Sequence, residues 1–230
     1  MRQLFLCLRG QRKMSKKRLG IYGAGGLGRE SYFLAERINA VSNHWSDIFF
    51  IDDFAQQDGL ILSWDKVKIC SNPDETELFI ACGEPILRHR LAKKVTAEGY
   101  ALAALVSPNI QLPNDVQIGN GVALFDGCIV MPNVRIGENT CVASGCILSH
   151  DSKIGMDCYL SPGCVVCGHV SIDDCSFLGA GCTIRNNLVI GPNTIIGVGA
   201  AVVKDVKKQE VVVGVPARFV RWNKNGRVFM

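Results

Sequence analysis

What the 230-residue chain lacks is informative. It has only four histidines, and its one closely spaced cysteine pair, Cys164 and Cys167, has no second pair at finger spacing, so a structural zinc site is not expected. Its most apolar leader segment, Leu4 to Leu8, is too short for a signal-peptide core and far too short to span a bilayer. No heptad seam is present, which excludes a coiled coil. There is no acid among residues 1 to 18 against seven Lys/Arg, and removing those charges from the net +4 leaves the remainder at −3. The basicity therefore belongs to a leader, and neither nucleic acid nor a membrane span is an expected partner. Without a targeting segment the expected location is the cytoplasm. Met14 offers a second start. Eleven cysteines, an odd number, do not read as a disulfide framework in that compartment.

What is present is a repeat. Every sixth residue from Val106 through Ile118, Ile136, Ile154, Ile172 and Ile190 to Val202 is Leu, Ile or Val. Two residues before many of these stands a small or β-branched residue such as Thr140, Ser152, Ser176, Thr194 or Ala200, and Cys128, Cys146, Cys158, Cys164 and Cys182 occupy the same phase. A six-residue unit supplies one short strand and one turn, and three units close a triangular coil. The sequence thus predicts a parallel β-helix of about five coils, with Ile118, Ile136, Ile154, Ile172 and Ile190 stacked in one ladder.

Ahead of the repeat, "RLGIYGAGGLGRE" reads as a strand to Tyr22, a Gly-rich turn and a helix over about Arg29 to Ala40. Gly23, Gly25 and Gly28 satisfy GxGxxG, a pattern that brings phosphate oxygens to a helix N-terminus. "DIFFIDD" is a second strand ending in Asp52 and Asp53, at about the spacing of a ribose-binding acid. A third strand, Leu78 to Ala81, leads to Gly83, and Pro85 opens a helix to about Glu98. This segment holds one mononucleotide-binding half, not a full six-stranded dinucleotide fold, which argues against an NAD-dependent dehydrogenase. The expected organisation is a basic disordered leader (1–17), a Rossmann-like α/β half domain (18–105), a β-helix (106–203) and a tail (204–230).

The stretches "IYGAGGLG", "FIDD", "FIACG", "HDSKIG" at His150 to Gly155 and "VVGVPAR" at Val212 to Arg218, in that order, resemble the PglD/NeuD group of sugar acetyltransferases. The resemblance runs from about Arg18 to Val220. It implies a left-handed coil, a homotrimer with active sites between subunits, and acetyl-CoA as co-substrate without a metal. It further implies acetyl transfer to the 4-amino group of a UDP- or dTDP-linked 4-amino-4,6-dideoxy sugar, or, as the alternative, to a sialic-acid hydroxyl.

Carried over by motif, His150 would be the general base with Asp151 raising its basicity. Gly25, Gly26 and Leu27 would lie along the diphosphate, and Asp52, Asp53 and Gly83 at the base and ribose end. Tyr159, Gly168, Ala180, Val198, Pro216 and Arg218 would contact acetyl-CoA. Tyr159 is a departure, since the group often carries a second His there. His169 matches no family base and is expected at the surface or lining the substrate. A zinc carbonic anhydrase built on a hexapeptide β-helix would need a third histidine in the repeat, and a Thr-laddered scaffold surface is not matched. His44 and His89 are expected on the front domain's surface without a role.

Overall fold

The computed structural model describes residues 16–228, so the leader through residue 15 lies outside the described residues. The first strand, β1 (Lys17–Tyr22), begins at the residue expected to end the leader, and the Lys17 ammonium is 2.9 Å from Glu77. With α1 (Gly26–Ser42), β2 (Trp45–Ile51), β3 (Ile61–Leu62), α2 (Trp64–Cys70), β4 (Thr76–Ile80), α3 (Pro85–Ala97) and β5 (Ala101–Leu102) it builds a five-stranded parallel sheet. The spatial order is β3-β2-β1-β4-β5. Leu19, Ile21, Ile51, Phe79 and Ile80 are fully buried in it, as expected for strands covered on both faces. Helix α1 begins three residues before the sequence-based estimate, because Gly25 takes the cap position.

From Leu105 the chain winds into a triangular prism of two-residue strands. Strand partners lie 18 residues apart, so three strands and three corners make one coil. The expected isoleucine ladder is present: Ile118, Ile136, Ile154, Ile172 and Ile190 pair in register on one face. Side chains from all three faces meet inside in one continuous core. Each fully buried aliphatic side chain there contributes about 1.5–3 kcal/mol, so the repeat phase itself specifies the fold.

The phase-sharing cysteines line this interior as free, buried thiols. Cys128, Cys146 and Cys164 donate to carbonyls of Ala143, Ser161 and Gly179 on the following coil at 3.2 to 3.3 Å.

Corners need a residue with positive φ. One corner uses glycine throughout, Gly127, Gly145, Gly163, Gly181 and Gly199; another uses Asn133, Asp151, His169 and Asn187. Asn, Asp and His are the non-Gly types most tolerant of that region.

The three outer faces differ. The face of strands Ala123–Leu124, Cys141–Val142 and Tyr159–Leu160 is covered by the front domain, and its sheet is extended beyond Ile195–Ile196 by the C-terminal strands Glu210–Val213 and Arg218–Trp222. A polar face presents Gln117, Arg135, Lys153, Ser171 and Val189; an apolar face presents Ile129, Ile147, Val165, Thr183 and Ala201. The fully buried Arg88 of α3 ties the domains together by donating to the Asn139 carbonyl and to the carbonyls of Ile80 and Cys82. His89 is not the idle surface residue expected: its Nδ1 is 2.6 Å from Asp157 Oδ2 of the coil. Among the described residues no helix is long and apolar enough to cross a membrane.

Candidate active site

His150 and Asp151 sit at the corner between the apolar and polar faces. Asp151 has φ +60°, a turn conformation that swings its carboxylate back toward the preceding side chain. His150 Nδ1 lies 2.8 Å from Asp151 Oδ2, and Asn133, one coil earlier, donates to Asp151 Oδ1 at 2.7 Å. These hydrogen bonds, first from His150 and then from Asn133, hold the Asp151 carboxyl below the usual carboxylate range. With Nδ1–H donated to the carboxylate, Nε2 carries the free lone pair, and the imidazole is more than half exposed. This is the arrangement of a proton acceptor open to substrate.

Gly168 lies against the His150 ring. A Cβ at Gly168 would stand 2.7 Å from Cε1 and 2.8 Å from Nε2, so only glycine leaves room for the imidazole there. His169, next in the chain, faces His150 edge-on with ring centroids 5.3 Å apart, and its Nε2 is 3.6 Å from Asp151 Oδ2. Asn133, Asp151 and His169 share one phase of the 18-residue period, the signal by which sequence reasoning could have grouped them.

The glycine turn joins β1 to α1, where the sequence placed it. Gly25 caps α1 and Gly26 opens it, and a Cβ on either would meet nothing within 4 Å, leaving the backbone open to a ligand. Gly28 is required by packing instead, since a Cβ there would lie 1.9 Å from the Gly23 carbonyl oxygen. Leu27 packs partly into the front-domain core.

Asp52 is an anchor of this region. It accepts from Ala24 N at 3.0 Å, Phe54 N at 2.9 Å and Ala55 N at 3.1 Å. Burial opposes its charge, but the three N–H donors outweigh burial and hold its carboxyl low. Asp53 accepts from Tyr22 Oη at 3.0 Å and from Trp64 N at 2.7 Å.

Both acids line a mostly apolar cavity of about 260 Å³ with Tyr22, Phe54, Cys82, Leu91 and Lys94, and Gly83 follows Cys82 at its wall. Burial, then Asp53, pushes the Tyr22 hydroxyl far up, so it stays a neutral donor. Lys94 donates to that hydroxyl at 2.8 Å and lies over the Tyr22 and Trp64 rings. Tyr22, Phe54 and Lys94 were not singled out from sequence, because only the packing of α3 against the β1 and β2 ends brings them together.

The residues expected at acetyl-CoA divide. Ala180 and Val198 stack on the all-glycine corner, where Gly181 and Gly199 leave open space and Val198 is 78% exposed. The Val213–Pro216 turn joins them through Ala201 N–H to the Gly214 carbonyl at 3.0 Å, and Arg218 is exposed on the adjoining C-terminal strand. Tyr159 is elsewhere. It projects from the covered face, stacks on Phe177 at 5.7 Å, and packs against the front-domain core. Nine residues span one and a half sides of the prism, so within one chain Tyr159 and His150 emerge in different directions.

Residues 18–95 match the family model of the PglD N-terminal domain, and residues 100–180 that of the GMPPB C-terminal domain. The front domain is of the PglD N-terminal type. Its whole fold superposes on WeeI from Acinetobacter baumannii AYE with a TM-score of 0.81 and 28% identity, covering 89% of this chain and 100% of that one. PerB from Caulobacter crescentus, solved with CoA and GDP-perosamine, gives 0.80 and 25% identity over 90% and 99% of the two chains. The acetyltransferase domain of PglB from Neisseria gonorrhoeae FA1090 gives 0.83 and 24% over 89% and 100%. Comparison with curated proteins returns no match. The PglD-type front domain, the coil's sheet topology and the matching folds bear out the expected half domain followed by a left-handed parallel β-helix.

Proposed function

We propose that the chain transfers acetyl from acetyl-CoA to the amine of a nucleotide-linked amino sugar, with His150 as general base and Asp151 orienting it. The observation that carries this reading is the His150–Asp151 pair at 2.8 Å, exposed on a hexapeptide coil that is joined to a glycine-turn domain. PerB, similar over nearly the whole chain, was solved with a nucleotide sugar and CoA together. The acceptor in our reading is a 4-amino-4,6-dideoxy sugar linked to UDP or dTDP, and the GDP sugar in PerB adds guanine to the bases to be tried.

In the reaction the neutral amine attacks the thioester carbonyl carbon, and the N–C bond forms as His150 Nε2 takes the proton. The oxyanion is stabilised by the Gly168 backbone N–H under the imidazole. Collapse breaks the C–S bond, and the leaving thiolate takes the proton back from the imidazolium, giving amide and CoA thiol. General-base assistance of this kind contributes about 10²- to 10⁴-fold.

The half domain holds the nucleotide, with the diphosphate along Gly25, Gly26 and Leu27 and the base in the cavity beside Asp52, Asp53 and Gly83. The glycine corner with Ala180, Val198, Pro216 and Arg218 takes acetyl-CoA. The front domain covers the face opposite the His150 corner, so a nucleotide sugar held there reaches a His150 of another copy. A homotrimer docked through the apolar face, where Ile129 is 51% exposed, supplies that copy.

The test is release of CoA thiol with UDP-, dTDP- and GDP-linked 4-amino sugars, and with a sialic acid as hydroxyl acceptor. Formation of an N-acetylated nucleotide sugar supports the reading; turnover with the sialic acid alone would replace it.

A further inference from the structure

We infer that the His150 corner is also a site for a divalent transition cation of zinc type, which switches the proposed base off. His150 Nδ1, Asp151 Oδ2 and His169 Nε2 all lie within 4.8 Å of one another. Two neutral imidazoles and one carboxylate are a ligand set suited to such a cation. Tetrahedral coordination at bond lengths near 2.1 Å places ligand atoms about 3.4 Å apart. The observed separations from Asp151 Oδ2, 2.8 Å to His150 and 3.6 Å to His169, bracket that value. The third separation, between the two imidazole nitrogens, is within 4.8 Å, and rotation of the two exposed rings closes it.

The second shell and the charge agree. Asn133 holds the other carboxylate oxygen and fixes the direction in which Oδ2 points. Asp151 is the one carboxylate among the three ligands, so with both imidazoles neutral the ligand set carries one negative charge. Both rings are more than half exposed, leaving the site open to an ion from solution.

Inhibition follows from the tautomer. In the free site the Nδ1–H is donated to Asp151 and Nε2 holds the lone pair that accepts the amine's proton. A cation bound at Nδ1 displaces that hydrogen to Nε2. The ring remains neutral but has no lone pair left to accept a proton. The inhibitory half of this inference rests on the function proposed above; the binding half does not.

The experiment titrates Co²⁺ and Zn²⁺ into the metal-stripped full chain, comparing wild type, His169→Gln and Cys175→Ser. Cys175 is included because His89, Asp157 and Cys175 form a second group of potential ligands. We expect Co²⁺ to bind wild type and Cys175→Ser with d–d bands and no sulfur-to-metal charge transfer, and His169→Gln to bind at least about tenfold more weakly. Zn²⁺ should suppress acetyl transfer by wild type roughly 10²-fold or more, reversibly with EDTA, with a smaller ratio for His169→Gln at the same concentration. Absence of Co²⁺ binding, a thiolate band lost in Cys175→Ser, or equal affinity in His169→Gln would overturn the inference. Metal binding needs no substrate, so failure to turn over any acceptor would remove the proposed function and leave the metal site standing or falling on its own spectrum.

Discussion

Replacing Gly168 with alanine separates the position of the base from everything else in the site. The added Cβ would stand 2.7 Å from His150 Cε1, 2.8 Å from Nε2 and 3.2 Å from Nδ1. Carbon contacts relax at about 3.5–4.0 Å, so the ring must retreat by roughly 1 Å. The backbone of Gly168 is not in the left-handed region, the amide N–H is kept, and the displaced group is an exposed side chain. Folding stability should therefore change by less than about 1 kcal/mol. The retreat breaks the 2.8 Å bond to Asp151, and a misplacement of about 1 Å in a reacting group costs on the order of 10²-fold. The assay is kcat/KM from CoA-thiol release beside a thermal melt. A roughly hundredfold fall at unchanged Tm is expected. Wild-type turnover in Gly168→Ala would refute the claim that this imidazole, held in this place, takes the proton.

Other outcomes follow from the same geometry. Gly28→Ala drives a Cβ into the Gly23 carbonyl, where backbone must yield, so it should cost about 2 kcal/mol or more and abolish nucleotide binding, read by calorimetry and by a nucleotide titration. Ile129→Glu with Ile147→Glu places charges on the apolar face and should leave monomers in place of the proposed trimer in light scattering, with loss of turnover although His150 is untouched. For Asp52 the folded pKa is depressed, so its stabilising contribution is present above the unfolded value near 4 and is lost as pH falls through the folded value. The gap in Tm between wild type and Asp52→Asn should accordingly shrink on acidification below about pH 4; a gap that widens there would show the sign to be wrong.

The coil was the most legible part of the chain, because a six-residue period fixes both which side chains point inward and which strands pair. Ile136 opposite Ile154 follows from counting alone, and so does burial of Cys146 and Cys164. In the front domain the long apolar strands and the glycine turn were equally readable. Helix α2 was not, because its seven residues are too few for a periodic signal; its cap is a single Ser63 accepting from Lys66 N, and Trp64 is placed by stacking on Tyr22.

Within the candidate site, the adjacent His150 and Asp151 were visible as neighbours in sequence. Their support from Asn133 and Gly168 depends on stacking of successive coils. The direction of Tyr159 and the bond from His89 to Asp157 depend on how the front domain lies on one face of the prism, and no local pattern encodes that. In the proposed trimer the position of acetyl-CoA relative to the base involves a second copy of the chain, which a single sequence describes only through the exposed apolar ladder.

The most direct test of the central claim is acetyl transfer from acetyl-CoA to the nucleotide-linked amine by wild type and by His150→Gln, at saturating substrates and with the assembly state of each verified. The account predicts turnover by wild type and a fall of about 10²- to 10⁴-fold in a variant that keeps its fold and oligomeric state. A His150→Gln rate within a few-fold of wild type would contradict it, whatever the substrate proves to be.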